Sequence, residues 1–226
     1  WNGTTTFQYA ATDNLGMADI TPATVTITVT AVNDAPTFGG LDGAPAYTEN
    51  GAAVKLDVDV TLADVELSAA GNYAGATLTL ARSGGANPQD QLAFDGTVVT
   101  TNGANVFVSG AQVGTYTFTG GQLSVSFGSG ATQARVDALL RNVVYWNSSD
   151  APPASVVLDW TFSDGNAGSQ GSGGALQATG TTTVTITAVD DTPVVAATAS
   201  VLSYTENDGP RAVDAGLTVG DVDSAM

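Results

Sequence analysis

Two stretches of the chain place oxygen-bearing side chains directly before a proline. They are Asn33-Asp34-Ala35-Pro36 and Asp190-Asp191-Thr192-Pro193. Proline fixes an extended backbone path and cannot continue a strand ladder, so each stretch is typical of a linker between two structural units. Carboxylate and amide oxygens are the ligands that Ca²⁺ prefers, roughly six to eight of them. Both stretches are candidate calcium sites, although Asp and Asn are also ordinary turn residues in this position.

Three motifs recur along the chain with one common separation. The separation is 157 residues, and it relates Asp34 to Asp191, Tyr47-Thr48-Glu49-Asn50 to Tyr204-Thr205-Glu206-Asn207, and Asp64-Val65-Glu66 to Asp221-Val222-Asp223. A shared register without gaps indicates an internal repeat. It predicts the tail of one repeat at 1–35, a complete repeat at 36–192 and the head of a third at 193–226. Because a lone strand pair is marginal in water, residues 193–226 are expected to be poorly ordered unless a neighbour completes them.

The composition excludes several classes of function. The chain has 22 acidic residues against 5 Lys and Arg, with no His and no Cys, for a net charge of −17. So few cations exclude nucleic-acid binding, and the missing His and Cys exclude disulfides, thiolate or imidazole metal sites and a His-based triad. No apolar run approaches the roughly 20 residues of a membrane helix. The acidic surface attracts cations, although acids also serve simply to keep a protein soluble.

The hydrophobic pattern is that of short strands. Val25, Ile27 and Val29 alternate with threonines, as in a half-buried strand. Similar runs separated by Gly, Asn, Asp and Ser predict seven or more strands per repeat and therefore an Ig-like β-sandwich. Residues 131–142 instead carry apolar side chains at helical spacing, which predicts one short helix. Trp146 and Trp160 are expected in the core, with a sugar-stacking role left open. Further expected strands are 76–81, 106–108, 116–118, 123–127, 143–146, 156–162 and 184–189.

The linker and loop motifs together resemble a known family. AVNDAP, YTENG and DVE or DVD, with LLRNVVYWNSSDAPP and LDWTFSDGNAG, are similar to the cadherin-like repeats of giant bacterial surface proteins, including RTX adhesins. The resemblance spans nearly the whole chain. It implies calcium bound between successive repeats. The Leu-Asp-Arg-Glu motif of cadherins is missing, and Asp150 is the proposed substitute. The ligands that the resemblance implies are Asn33, Asp34, Glu49, Asp64, Glu66, Asp164, Asp190, Asp191, Asp221 and Asp223, with Asp150 added.

Sandwich topology sorts these residues into two groups. Asp64 and Glu66, on a loop at the leading end, are expected to meet Asp164, Asn33 and Asp34 at a first joint. The second joint is expected at the trailing end, with ligands Glu49, Asp150, Asp190, Asp191, Asp221 and Asp223.

The leading hypothesis for function is structural. The repeats are expected to be calcium-rigidified extender modules of a long extracellular adhesin or surface fibre, secreted to the bacterial cell surface. The expected partners are adjacent repeats, other copies in a fibre, and host or surface glycans bound through other domains. Two alternatives stay open, a glycan- or protein-binding sandwich and the building block of a filament or sheath. Paired carboxylates can hydrolyse glycosides, but no cleft motif accompanies these acids, and no enzymatic activity is predicted.

Overall fold

The computed structural model describes residues 1–199 and 201–223 of the chain, and it is dominated by short strands. Within those residues, the elements are β1 (Gly3–Tyr9), β2 (Ala23–Val29), β3 (Thr37–Gly39), β4 (Ala46–Thr48), β5 (Val54–Lys55), β6 (Thr61–Ala63), α1 (Val65–Ala70), β7 (Thr77–Arg82), β8 (Asp90–Phe94), β9 (Val99–Asn102), β10 (Asn105–Val108), β11 (Ala111–Thr119), β12 (Gln122–Phe127), α2 (Gln133–Leu140), β13 (Val143–Asn147), β14 (Ser155–Ser163), β15 (Gln177–Thr187), β16 (Val194–Ala196) and β17 (Thr218–Gly220).

The complete repeat is built around one large sheet. Its strands follow the order β4-β15-β14-β7-β12-β11-β10-β9, and a smaller sheet has the order β5-β13-β8. All neighbours pair antiparallel except β4 and β15, which run parallel. The inner faces of the sheets share one hydrophobic core. The predicted all-β sandwich is therefore confirmed.

Aromatic side chains tie the layers together. Trp160 is fully buried, and its indole N–H donates to Thr182 Oγ1 at 3.0 Å. Phe38 from β3 meets Trp160 edge-on, and Tyr47 from β4 meets Tyr145 from β13 in the same way. Such pairs add about 0.5–1.5 kcal/mol each beyond the area they bury. The burial of Trp160 confirms its core role and rules out sugar stacking by this side chain.

The predicted helix is present as α2, and a second helix accompanies it. Helix α2 buries Val136, Leu139 and Leu140. Helix α1 begins after Asp64, whose Oδ1 accepts from the Leu67 N–H at 2.8 Å, and it ends at Gly71 with φ 74°. Asp64 and Glu66 therefore lie at the start of a helix and not on the loop that the sequence predicts. Among the described residues, no helix has the length and apolar character needed to cross a bilayer.

The 157-residue repeat of the sequence is also found in a strand pairing and in a turn of the structure. In the complete repeat Thr37 pairs with Ala63, and in the following segment Val194 pairs with Gly220 at the same separation. The carboxylate of Asp214 accepts from the Gly216 N–H at 2.9 Å, as that of Asp57 does from the Asp59 N–H at 3.0 Å. The outer strand pair and the Asp57 turn of the complete repeat thus recur in the following segment, whereas 203–205 and 211–212, the counterparts of β4 and β5, do not form strands. The expected poor order of 193–226 stays a prediction, and Ser200 and 224–226 lie outside the described residues.

Candidate metal centres at the repeat joints

The first acidic cluster consists of Asn33, Asp34, Asp64, Glu66 and Asp164, which the structure brings together. The Asp34 N–H donates to Glu66 Oε2 at 3.3 Å, which ties the segment before β3 to the first turn of α1. Asn33 Nδ2 donates to Asp164 Oδ2 at 2.6 Å. Residues from three separate parts of the chain therefore meet at the end where the β1–β2 hairpin joins the complete repeat.

Backbone donors hold the two most buried acids of this cluster in place. Asp64 caps α1 through Oδ1, and its Oδ2 takes no part in the cap. Asp164 is fully buried, and its carboxylate accepts from the backbone N–H groups of Asn166 at 2.9 Å and Leu176 at 3.0 Å. Both carboxylates are thus fixed by the fold before any ligand binds.

The first acidic cluster contains buried polar atoms without hydrogen-bond partners. Asn33 Oδ1 and Asp64 Oδ2 are buried and have no hydrogen-bond partner. Burial raises the pKa of Asp64, the charges of Glu66 and Asp164 raise it further, and the Leu67 N–H opposes them. In the described part of the chain, the salt bridges join other residues and none reaches this cluster. Buried oxygens of this kind are costly unless a donor or a cation satisfies them.

The second acidic cluster consists of Glu49, Asp150, Asp191, Asp221 and Asp223. Carboxylate oxygens of Glu49, Asp150 and Asp191 lie within 4.8 Å of one another. The Asp191 N–H donates to Asp223 Oδ2 at 2.7 Å. This contact is the equivalent of the Asp34–Glu66 contact, displaced by 157 residues. A cavity of about 420 Å³ beside the cluster is lined by Asp150, Asp191, Thr192, Val194, Gly220, Asp221 and Val222.

Two oxygens of the second acidic cluster lack partners. Glu49 is buried, and its Oε2 accepts from the Val189 N–H at 2.9 Å, which leaves Oε1 buried without a donor. Asp191 Oδ2 is in the same situation. Burial raises the pKa of Asp191, and the charges of Asp223, Glu49, Asp150 and Asp221 add to the rise. Negative charge therefore accumulates on Glu49, Asp150 and Asp191, and the salt bridges found among the described residues involve none of these three.

A buried polar network leads to this second cluster. Asn147 Nδ2 donates to Asp90 Oδ1 at 3.0 Å, and Asp90 receives two bonds from Arg82, at 2.6 and 2.8 Å. The Asn147 side-chain oxygen accepts from the Ser149 N–H at 2.9 Å, next to Asp150. The Asn147 carbonyl accepts from the Tyr47 hydroxyl at 3.2 Å, two residues before Glu49. The network thus anchors the segments that carry both Glu49 and Asp150, and no local sequence pattern indicates it.

Not every predicted residue joins a cluster. Asp190 is exposed, and among the described residues no hydrogen bond or group of carboxylates includes its side chain. A further group, Asp42, Asp57 and Asp59, also brings carboxylate oxygens within 4.8 Å. Its buried member, Asp57, already accepts four backbone N–H groups, at 2.7 to 3.1 Å, so that carboxylate serves the turn around it.

Comparison with known proteins gives structural neighbours only. No protein-family model matches the chain, and no curated protein matches it. Solved structures that superpose on it include a protocadherin gammaB7 EC3-6 cis-dimer, at 17% identity and a TM-score of 0.36, covering 99% of this chain and 44% of that one. Human CDH23 EC21-23 gives 15% identity and a TM-score of 0.34, covering 99% and 55%. The protocadherin GammaB4 extracellular domain gives 15% identity and a TM-score of 0.32, covering 98% of this chain and 27% of that one.

The chain spans about half or less of the length of these structures. All three are cadherin extracellular regions by their descriptions. Superpositions this loose carry no argument about activity, partners or origin, and the bacterial RTX origin stays a prediction.

Proposed function

We propose that this chain is part of a tandem array of cadherin-like repeats that serves as an extender of an extracellular protein, and that calcium stiffens the joints between repeats. The repeat boundaries fall at 36 and 193, so each acidic cluster combines residues from two successive units. The clusters, more than the sandwich bodies, are the functional sites.

The observation that carries this proposal is at the second acidic cluster. Glu49 and Asp150 belong to the complete repeat, whereas Asp221 and Asp223 belong to the following one. Glu49 and Asp191 each have one buried carboxylate oxygen without a partner, and both carboxylates lie within 4.8 Å of the Asp150 carboxylate. An ordinary hydrogen-bonded joint would supply donors to these atoms, so their orphaned state supports a bound cation.

The donor set fits calcium. Every candidate ligand is a carboxylate or amide oxygen, which is the chemistry of a hard divalent cation and not of zinc or copper. Like charges at this spacing repel, and a divalent ion removes that repulsion while tying both units to one centre. Extracellular calcium modules bind at about 10⁻⁴–10⁻³ M, so such joints fill outside a cell and empty inside it.

Calcium removal tests the proposal. In millimolar calcium the chain should melt at a higher temperature and have a narrower range of hydrodynamic radii than in EDTA. Because Asp64 caps α1, the variant Asp64→Asn with Glu66→Gln keeps a capping side chain while removing two charges from the first acidic cluster. It should reproduce the EDTA state at that joint. Melts and radii that are identical in EDTA and calcium would refute the calcium-stiffened joint.

A further inference from the structure

The loop at residues 165–174 touches the linker that enters the complete repeat, residues 31–34. We propose that this loop is a docking surface for the linker of the preceding repeat, and that it restrains the first joint without a cation. The inference goes beyond calcium binding, because its contacts use none of the carboxylate oxygens of the first acidic cluster that lack partners.

Backbone pairing joins the two segments. The Ser172 N–H donates to the Ala31 carbonyl at 3.0 Å, and the Asn33 N–H donates to the Ser172 carbonyl at 2.9 Å. Val32 and Ser172 form a parallel bridge between these two bonds. The Ser172 hydroxyl adds a bond to the Ala31 carbonyl at 3.3 Å. The linker is thus held as an extended strand over a short length, which fixes its direction as well as its position.

The loop is rigid enough to act as a surface. Asn166 is buried, donates from Nδ2 to the Gly171 carbonyl at 3.0 Å, and accepts through Oδ1 from the N–H groups of Gly168 at 2.8 Å and Gln170 at 3.1 Å. Gln170 Nε2 donates to the Asp164 carbonyl at 3.0 Å. These bonds are internal to the loop and its base, so the docking face is formed before the linker meets it.

Gly171 lies directly against the backbone of the linker. A Cβ added there would stand 2.8 Å from the Val32 carbonyl carbon and 2.9 Å from that of Ala31. Both are backbone atoms that cannot rotate away. The linker therefore passes against a position where only glycine fits, which is the reason a close backbone contact is possible at all.

The preceding repeat has a shorter loop at the equivalent place. The interval from Asp164 to Asp191 is 27 residues, whereas that from Asp13 to Asp34 is 21. The short turn closes on itself, with bonds from Asp13 N–H to Met17 carbonyl at 2.9 Å and from Asp19 N–H to Ala11 carbonyl at 2.7 Å. The six added residues thus supply the docking face, and joints in the array differ in how much they depend on calcium.

Two matched glycine variants test this role. Gly171 and Gly168 have similar positive φ, 120° and 110°, but nothing lies within 4 Å of a Cβ at Gly168. Gly171→Ala and Gly168→Ala therefore carry the same kind of backbone strain, and only the first meets the linker. The chain has no Cys, so spin labels at Thr6→Cys in β1 and Thr117→Cys in β11, both exposed, report the orientation of the hairpin on the sandwich.

In EDTA, the distribution of distances between the two spin labels should be as narrow in Gly168→Ala as in the parent chain. In Gly171→Ala the distribution should be about twofold broader or more. The Asn33 amide should exchange about tenfold faster in Gly171→Ala, as expected for a lost backbone hydrogen bond. Equal distributions and equal exchange in the two variants would overturn the proposal.

A deletion keeps the test decisive if Gly171→Ala disturbs folding. Removing residues 166–171 gives the loop the length of its counterpart in the preceding repeat without creating a clash. Amide exchange in β14 and β15 reports whether the sandwich is intact. In an intact deletion variant the distribution should broaden in EDTA, and an unchanged width would contradict the docking role. Adding calcium tests the proposed function separately, because the EDTA comparison holds whether or not calcium binds.

Discussion

Asp150 and Asp190 are both exposed carboxylates near the second joint, but their surroundings differ. Asp150 lies within 4.8 Å of Glu49 and Asp191, and its charge raises the pKa of Asp191. Among the described residues, Asp190 belongs to no such group of three carboxylates. Proximity in sequence to the linker proline is therefore a poor guide to which acid joins the second acidic cluster. What matters is whether the carboxylate shares a site with the buried oxygens of Glu49 and Asp191.

The pair provides a charge-matched test at the residue scale. Asp150→Asn should weaken calcium binding at the second acidic cluster by about tenfold, because it removes one charged ligand from the site. Asp190→Asn removes the same charge and should change the affinity by less than about twofold, because salt screens the attraction between a distant exposed charge and the calcium ion. Calorimetric titration of calcium into each variant measures both. Equal losses would mean that net charge, and not the geometry of the cluster, controls binding.

At the scale of elements, strands β4, β13 and β15 position the candidate ligands of the second acidic cluster. Strand β4 pairs in parallel with β15, which places Glu49 beside Val189. The Tyr47 hydroxyl links β4 to the end of β13, just before Asp150. The buried Asn147 then connects that corner to Asp90 and Arg82. The geometry of the cluster is thus set by a hydrogen-bond network that lies inside the sandwich.

Tyr47→Phe tests this positioning, because it removes one hydroxyl and preserves the ring in the core. It should weaken calcium binding at the second acidic cluster about three- to tenfold and cost about 1 kcal/mol of stability. Tyr73→Phe is the matched control. Tyr73 is equally buried, and its hydroxyl bonds to Ser68 and Gln133 near the first joint. It should cost similar stability in a denaturant titration and leave the second site unchanged. A purely structural role for Tyr47 would make the two variants alike in calcium affinity.

The sequence predicts the elements better than it predicts their contacts. Alternating β-branched residues identify β2 and β15, and helical spacing identifies α2. Helix α1 is only six residues long, too short for a periodic pattern, although Asp64 before it and Gly71 after it are ordinary capping signals. Asn147 and Asp90 are 57 residues apart. No local pattern indicates a buried polar network whose members meet only when β8 pairs with β13.

The same limit applies to the loop at 165–174. Its composition of Gly and Ser predicts flexibility, but Asn166 and Gln170 fold back on it and order it. Its partner, the linker, lies more than 130 residues earlier, as the 131-residue separation of Asn33 and Asp164 illustrates. A single sequence contains the repeat register that places acids at joints. It does not reveal the long-range strand pairing that brings Asp150, but not Asp190, into the second acidic cluster.

At the scale of the whole molecule, the proposed repeat boundaries assign the segment before residue 36 and the segment after residue 192 to neighbouring units. The pairings β3–β6 and β16–β17 share one register, so each joint presents the same leading edge to the unit before it. A stiff array follows if each edge is locked. The first joint has a docking loop as well as an acidic cluster, so part of its restraint should persist without calcium. The acidic cluster at each joint should supply a calcium-dependent restraint.

A distance measurement across the second joint tests that claim most directly. Spin labels at Thr183→Cys in β15 and Val213→Cys in the following segment, both exposed, span the second acidic cluster. At about 5 mM calcium, above the usual range of about 10⁻⁴–10⁻³ M for extracellular modules, the distance distribution should narrow relative to EDTA. The narrowing should be lost when Glu49→Gln and Asp191→Asn are combined. A distribution that is the same in EDTA and in calcium would contradict a calcium-locked joint.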